Sequence, residues 1–75
     1  MRIQNAFGNV LKGIRNKKNL TQEELAHKYD LDRTYISLLE RGLRQPSLIT
    51  LFQLGKALDL KPSKIVANVE DKLKK

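Results

Sequence analysis

The stretch Leu20-Thr21-Gln22-Glu23-Glu24-Leu25-Ala26-His27-Lys28-Tyr29-Asp30-Leu31-Asp32-Arg33-Thr34-Tyr35-Ile36-Ser37-Leu38-Leu39-Glu40-Arg41-Gly42 decides the fold. Its first six residues carry a full helix-start signal. Thr21 is placed to cap, Glu24 to reach back three residues later as a capping box, and Leu20 and Leu25 to close a hydrophobic staple. A helix therefore starts at Gln22. It is short, because Asp30 stands about two turns on, and Asp tolerates the left-handed backbone that a tight turn needs. Asp32 then caps a second short helix, with Leu31 and Ile36 in staple positions, which ends at Gly42.

Outward from this pair the pattern stays helical. Ile3, Phe7, Val10, Leu11 and Ile14 draw one apolar stripe along an earlier helix that ends in the basic run Arg15-Asn16-Lys17-Lys18-Asn19. Beyond the loop Leu43-Arg44-Gln45-Pro46, Ser47 caps a fourth helix whose inward stripe is expected to be Leu48, Leu51, Leu54 and Leu58. Pro62 suits the first position of a fifth helix carrying Ile65, Val66 and Val69, and residues 70–75 read as a frayed charged tail. No alternating β-branched run suggests a strand. The fold class is all-α: a compact five-helix domain over residues 1–69 with a helix-turn-helix motif at about 22–41.

Composition narrows the chemistry. At 75 residues, the chain buries only ~60% of its unfolded surface, which argues against an enzyme with a closed substrate cavity. With no Cys and a single His, disulfides, thiolate nucleophiles and zinc sites lack their ligands, and no metal or other cofactor is expected. His27 reads as a solvent-facing helix residue. No apolar run approaches the ~20 residues that cross a bilayer and no signal peptide is evident, so a cytoplasmic, bacterial or phage-encoded protein is expected. The net charge of +7 points to a polyanion, with nucleic acid ahead of an anionic membrane surface. Residues 1–18 hold five basic and no acidic side chains, whereas 19–46 hold four basic and five acidic. The motif itself is nearly neutral.

Three stretches together carry a family resemblance. They are Leu11...Ile14-Arg15...Leu20-Thr21-Gln22-Glu23-Glu24-Leu25-Ala26, then Tyr35-Ile36-Ser37-Leu38-Leu39-Glu40-Arg41-Gly42, then Pro46-Ser47-Leu48...Leu51...Ala57-Leu58. From Phe7 to about Val66 the chain resembles the phage-repressor and Cro-like (XRE) helix-turn-helix DNA-binding domains. Within that family, Leu31 to Ser37 looks most like the controller proteins of restriction-modification operons. The resemblance implies that Arg15 and Glu40 form an internal ion pair between the first and third helices. It also implies DNA-backbone roles for Gln22, at the start of the second helix, and for Arg44, in the loop after the third. One departure is Asp30, where the family usually has Gly.

Helix geometry assigns the rest. Ala26 lies where the motif helices cross, and Leu25, Ile36 and Leu39 fix their angle. With Ile36 and Leu39 inward, Arg33, Thr34, Ser37 and Leu38 face out, toward a DNA major groove that a single helix can enter. Arg33 can fork onto guanine N7 and O6, and Thr34 and Ser37 can bond base edges or phosphates. Leu38 is either an isolated surface leucine or a contact for a thymine methyl. Tyr35 either packs on the second helix or brings its hydroxyl to a phosphate. Arg41 and the helix start at Ser47 are further candidates for backbone contacts. Gly55, in mid-helix, is expected to admit another helix closely.

One recognition helix reads too few base pairs to select a site from a genome, which favours a twofold dimer on a palindromic operator. The surplus apolar residues Ile49, Phe52, Ile65, Val66 and Val69 are the expected dimer interface; the competing reading places Phe52 and Ile65 in the core. The expected function is a sequence-specific transcriptional regulator, a controller of a restriction-modification operon among the possibilities. Alternatives are a small phage or plasmid repressor, an autorepressing antitoxin, or a protein-interaction module on the same fold. No small-molecule ligand is expected, so control would come from concentration, dimerisation or a separate partner.

Overall fold

The computed structural model describes residues 1–74 and contains five helices, with no strand among the described residues. They are α1 (Ile3–Lys17), α2 (Gln22–His27), α3 (Arg33–Glu40), α4 (Leu48–Ala57) and α5 (Pro62–Lys74). α1 packs on both α3 and α5, α2 packs on α3, and α4 on α5. α5 continues as helix through the stretch read as a frayed tail, as far as Lys74.

Each start signal operates as its chemistry requires. The Thr21 hydroxyl accepts from the Glu24 N–H at 3.0 Å, and the Glu24 carboxylate accepts from the Thr21 N–H at 2.8 Å. Two of the free donors at the head of α2 are thereby satisfied. The Asp32 carboxylate accepts from the Thr34 N–H at 3.0 Å, and Ser47 Oγ from the Thr50 N–H at 3.1 Å.

The helix ends share one device. Asn19, Asp30, Gly42 and Asp59 all have left-handed backbones, with φ between 52° and 76°. Each is followed by a leucine whose N–H donates back across the turn: Leu20 to Arg15 O, Leu31 to Ala26 O, Leu43 to Leu38 O and Leu60 to Gly55 O, at 2.8–3.1 Å. This is the six-to-one closure of a Schellman turn. Leu20, Leu31 and Leu60 then pack on the core and stand just before the next helix cap, so one side chain ends one helix and anchors the following one. Leu43 leads into a loop instead and is exposed.

The core is built from Ala6, Phe7, Val10 and Leu11 of α1, Leu25 and Ala26 of α2, Ile36 and Leu39 of α3, Leu54, Ala57 and Leu58 around α4, and Ile65 and Val69 of α5. Three expectations are corrected here. Leu48 does not join the inward stripe of α4 but is 71% exposed: it is the first residue of the helix, whose buried side is set by Thr50, Leu54 and Ala57. Ile3, at the free end of α1, is also exposed. Gly55 admits the end of the α4–α5 linker first and only the head of the next helix beside it: a Cβ there would lie 2.7 Å from the Leu60 carbonyl oxygen and 3.1 Å from the Pro62 ring that opens α5.

Candidate nucleic-acid interface

α2 and α3 present their N-terminal ends on the same side of the molecule, where Arg15, Thr21, Gln22, Glu23 and Arg33 line a shallow hollow. Arg33 and Thr34 open α3 and are exposed, while Ile36 and Leu39 on its opposite side are fully buried. Burial of that inner side sets the rotation of α3, so the outward direction of Arg33 and Thr34 follows from core packing. Ser37 and Tyr35 are half-buried on the flanks, and Tyr35 packs against the core. Leu38, expected to be exposed, is also half-buried, since it lies one position before the inward Leu39. Arg41 and Arg44 are exposed in and after the turn that closes α3, and Ser47 heads α4 on the far side of the same loop.

Behind this surface lies the ion pair. Arg15 Nε donates to Glu40 Oε2 at 2.6 Å and Nη2 to Glu40 Oε1 at 3.0 Å, a forked, buried arrangement joining α1 to α3. The third guanidinium nitrogen, Nη1, donates to the Leu20 carbonyl at 2.7 Å, pinning the linker into α2. Hydrogen bonding to Glu40 raises the Arg15 pKa further above its already high value, outweighing desolvation. Arg15 is therefore a fixed cation. Removing one member of such a pair typically costs ~3–5 kcal/mol, because the other charge is left buried alone.

Gln22 is not free in solvent at the head of α2. Its Nε2 donates to Glu40 Oε1 at 3.0 Å, so the Glu40 carboxylate accepts three hydrogen bonds from two helices. From sequence, Gln22 and Glu40 stand in separate roles, and the link between them appears only in the structure. The only signal for it was that the ion pair and the start of α2 both converge on the C-terminal end of α3.

A second surface lies on α4. Ile49 is 73% exposed and Phe52 55%, and together with Leu48, Tyr29, Gln53 and Lys56 they line an apolar depression. Ile65 and Val69, expected at a dimer interface, are instead 0% and 7% exposed. They face inward because α5 packs on α1 and α4 through that side. Val66 is exposed but lines a different groove, with Ile3, Phe7, Pro46 and Leu51. The exposed apolar set is thus Leu48, Ile49 and Phe52 with Tyr29 from the motif turn; Leu48 and Tyr29 were missing from the sequence-based interface. His27 is exposed, and no metal-binding cluster occurs among the described residues.

A family model described as helix-turn-helix matches residues 11–65. This chain belongs to the helix-turn-helix family. Within the family it is similar to restriction-modification regulators. Control protein C.MunI of Mycoplasma sp. is 41% identical over 69 residues, covering 91% of this chain and 93% of that protein. Control protein C.BamHI of Bacillus amyloliquefaciens is 43% identical over 65 residues, covering 85% and 80%. The controller protein C.Esp1396I, solved as a tetramer on its natural 35 base-pair operator, superposes with a TM-score of 0.88 at 33% identity, covering 100% of this chain and 99% of that one. The matched family region in this helix-turn-helix protein runs from Leu11 to Ile65 and so spans both members of the ion pair, α2, α3, and the whole of α4.

Proposed function

We propose that this helix-turn-helix protein is a sequence-specific DNA-binding transcriptional regulator that acts as a homodimer and controls a restriction-modification operon. The observation that carries the reading is the exposed Arg33-Thr34 pair on a helix whose opposite side is locked into the core. Arg33 forks onto a guanine edge, with Thr34 and Ser37 on neighbouring base edges or phosphates; Leu38, being half-buried, contributes at most a thymine-methyl contact. Gln22, Tyr35, Arg41, Arg44 and the Ser47 helix start hold the sugar-phosphate backbone on either side. Kinship with C.MunI and C.BamHI, and the operator-bound C.Esp1396I, supports the operon assignment.

Leu48, Ile49 and Phe52 form the dimer contact, with Tyr29 at its edge. Three large apolar side chains open to water on one helix end favour burial, and a twofold axis buries them against themselves. Each protomer measures 32 × 23 × 23 Å, so two side by side can place their α3 helices about one helical turn of DNA apart, ~34 Å.

Selection of bound duplexes from a random pool tests the reading. The expected product is a sequence with twofold symmetry and half-sites about one turn apart. Recovery of no preferred sequence, at a salt concentration where nonspecific binding is suppressed, would contradict it.

A further inference from the structure

Glu40 does more than neutralise Arg15. Its Oε1 receives both Arg15 Nη2 and Gln22 Nε2 at 3.0 Å, and its Oε2 receives Arg15 Nε. Arg15 itself has no freedom to move toward the surface, because Nη1 is held by the Leu20 carbonyl one residue before the cap of α2. The pair is therefore a fixed post, anchored in α1 and α3, against which the Gln22 side chain leans. An amide nitrogen carries two hydrogens, and only one is used on Glu40. The other remains available to an outside acceptor, and Gln22 lines the hollow together with Arg15, Thr21, Glu23 and Arg33.

We infer that Glu40 is a positioning residue for DNA-backbone recognition: it fixes the Gln22 amide so that its second N–H donates to one operator phosphate, in register with Arg33. The inference rests on the reading of Gln22 as a backbone contact. A free glutamine at the head of a helix samples several rotamers, and losing that freedom on binding weakens any bond it makes. Held by Glu40, the donor is already in place. The same post belongs to α3, so the phosphate donor and the base-reading Arg33 keep a constant spacing although they stand on different helices.

The test is a scan of the operator in which single phosphates are replaced by neutral methylphosphonates, applied to the full chain. With the wild-type protein, one phosphate per half-site is expected to lose about three- to tenfold in affinity on replacement, the range of one hydrogen bond. With Gln22→Ala that sensitivity should vanish. With Glu40→Leu, which removes both acceptor oxygens, it should vanish as well, and the double variant should bind no worse at that phosphate than either single one. A stability loss alone would leave the phosphate pattern of the folded fraction intact. Should Glu40→Leu fail to fold because Arg15 is left buried alone, Arg15→Met with Glu40→Leu removes both buried charges together and should show the same lost sensitivity. Sensitivity that disappears with Gln22→Ala but persists in the Glu40 variants would overturn the positioning role and leave the Gln22 contact standing. If no phosphate depends on Gln22, both fail.

Discussion

Gly8 of α1 lies hard against the backbone of Glu40 at the end of α3: a Cβ at position 8 would stand 2.5 Å from the Glu40 carbonyl oxygen and 2.6 Å from that of Leu39. Glycine inside a helix ordinarily weakens it, and Ala ordinarily restores ~1 kcal/mol. Here the sign reverses. The added methyl meets backbone, which cannot swing aside as a side chain would, so α1 must shift from α3. Gly8→Ala is expected to destabilise the protein by ~1–3 kcal/mol, read as a fall in Tm of several degrees or more. A rise in Tm would show that the close approach carries no constraint.

The apolar end of α4 makes an assembly prediction. Phe52→Glu places a charge on a residue that is already exposed in the protomer, so the fold should survive with little change in its circular dichroism spectrum. Two like charges brought together across a twofold contact should block pairing. Sedimentation equilibrium is expected to give a dimer for the wild type at micromolar concentration and a monomer for the variant. A variant that remains dimeric places the contact elsewhere.

Glu24 is held ionised by its cap. The hydrogen bond from the Thr21 backbone N–H, joined by that with the Thr21 side chain, lowers its pKa below the usual glutamate value. A carboxylate with a depressed folded-state pKa adds stability above its unfolded pKa, and this is lost as the pH falls through the folded value. The capping box should therefore weaken only in acid, below the ordinary glutamate range. Thr21→Ala removes the side-chain hydrogen bond but keeps the backbone N–H, so it is expected to return the Glu24 pKa only part of the way toward the ordinary value, observable by NMR titration of its carboxyl carbon. An unchanged titration would mean that the Thr21 hydroxyl does not help to hold the carboxylate.

The proposed role of Arg44 is a contact to the DNA backbone through charge alone. Arg44→Ala should weaken binding to operator and unrelated duplexes alike, and should reduce the slope of log affinity against log salt by about one. A loss confined to the operator would make Arg44 a base reader.

Most of the fold was legible because its punctuation is local. Thr21 with Glu24, Asp32 and Ser47 each declare a helix start within four residues of sequence, and all three operate in the structure. Asp30 and Gly42 are legible as helix ends, and Asn19 and Asp59 play the same part; the common signal is a small polar residue or glycine followed by leucine. The outward side of α3 was legible because Ile36 and Leu39 leave one rotation open. The side of α4 was not, since Leu48, Ile49, Leu51, Phe52, Leu54 and Leu58 fit several stripes, and only the packing of α5 decides among them. For the same reason Ile65 and Val69 were assigned outward and lie inside. The Gln22–Glu40 bond spans 18 residues and three elements' packing, which no local pattern encodes.

The most direct test of the central claim, that α3 reads bases through Arg33, is the affinity of Arg33→Ala for operators carrying each of the four base pairs at every half-site position. The expected result is a loss of ~1–3 kcal/mol on the preferred site, together with relaxed preference at one position per half-site and unchanged preference elsewhere. Affinity and base preference equal to those of the wild type would contradict it.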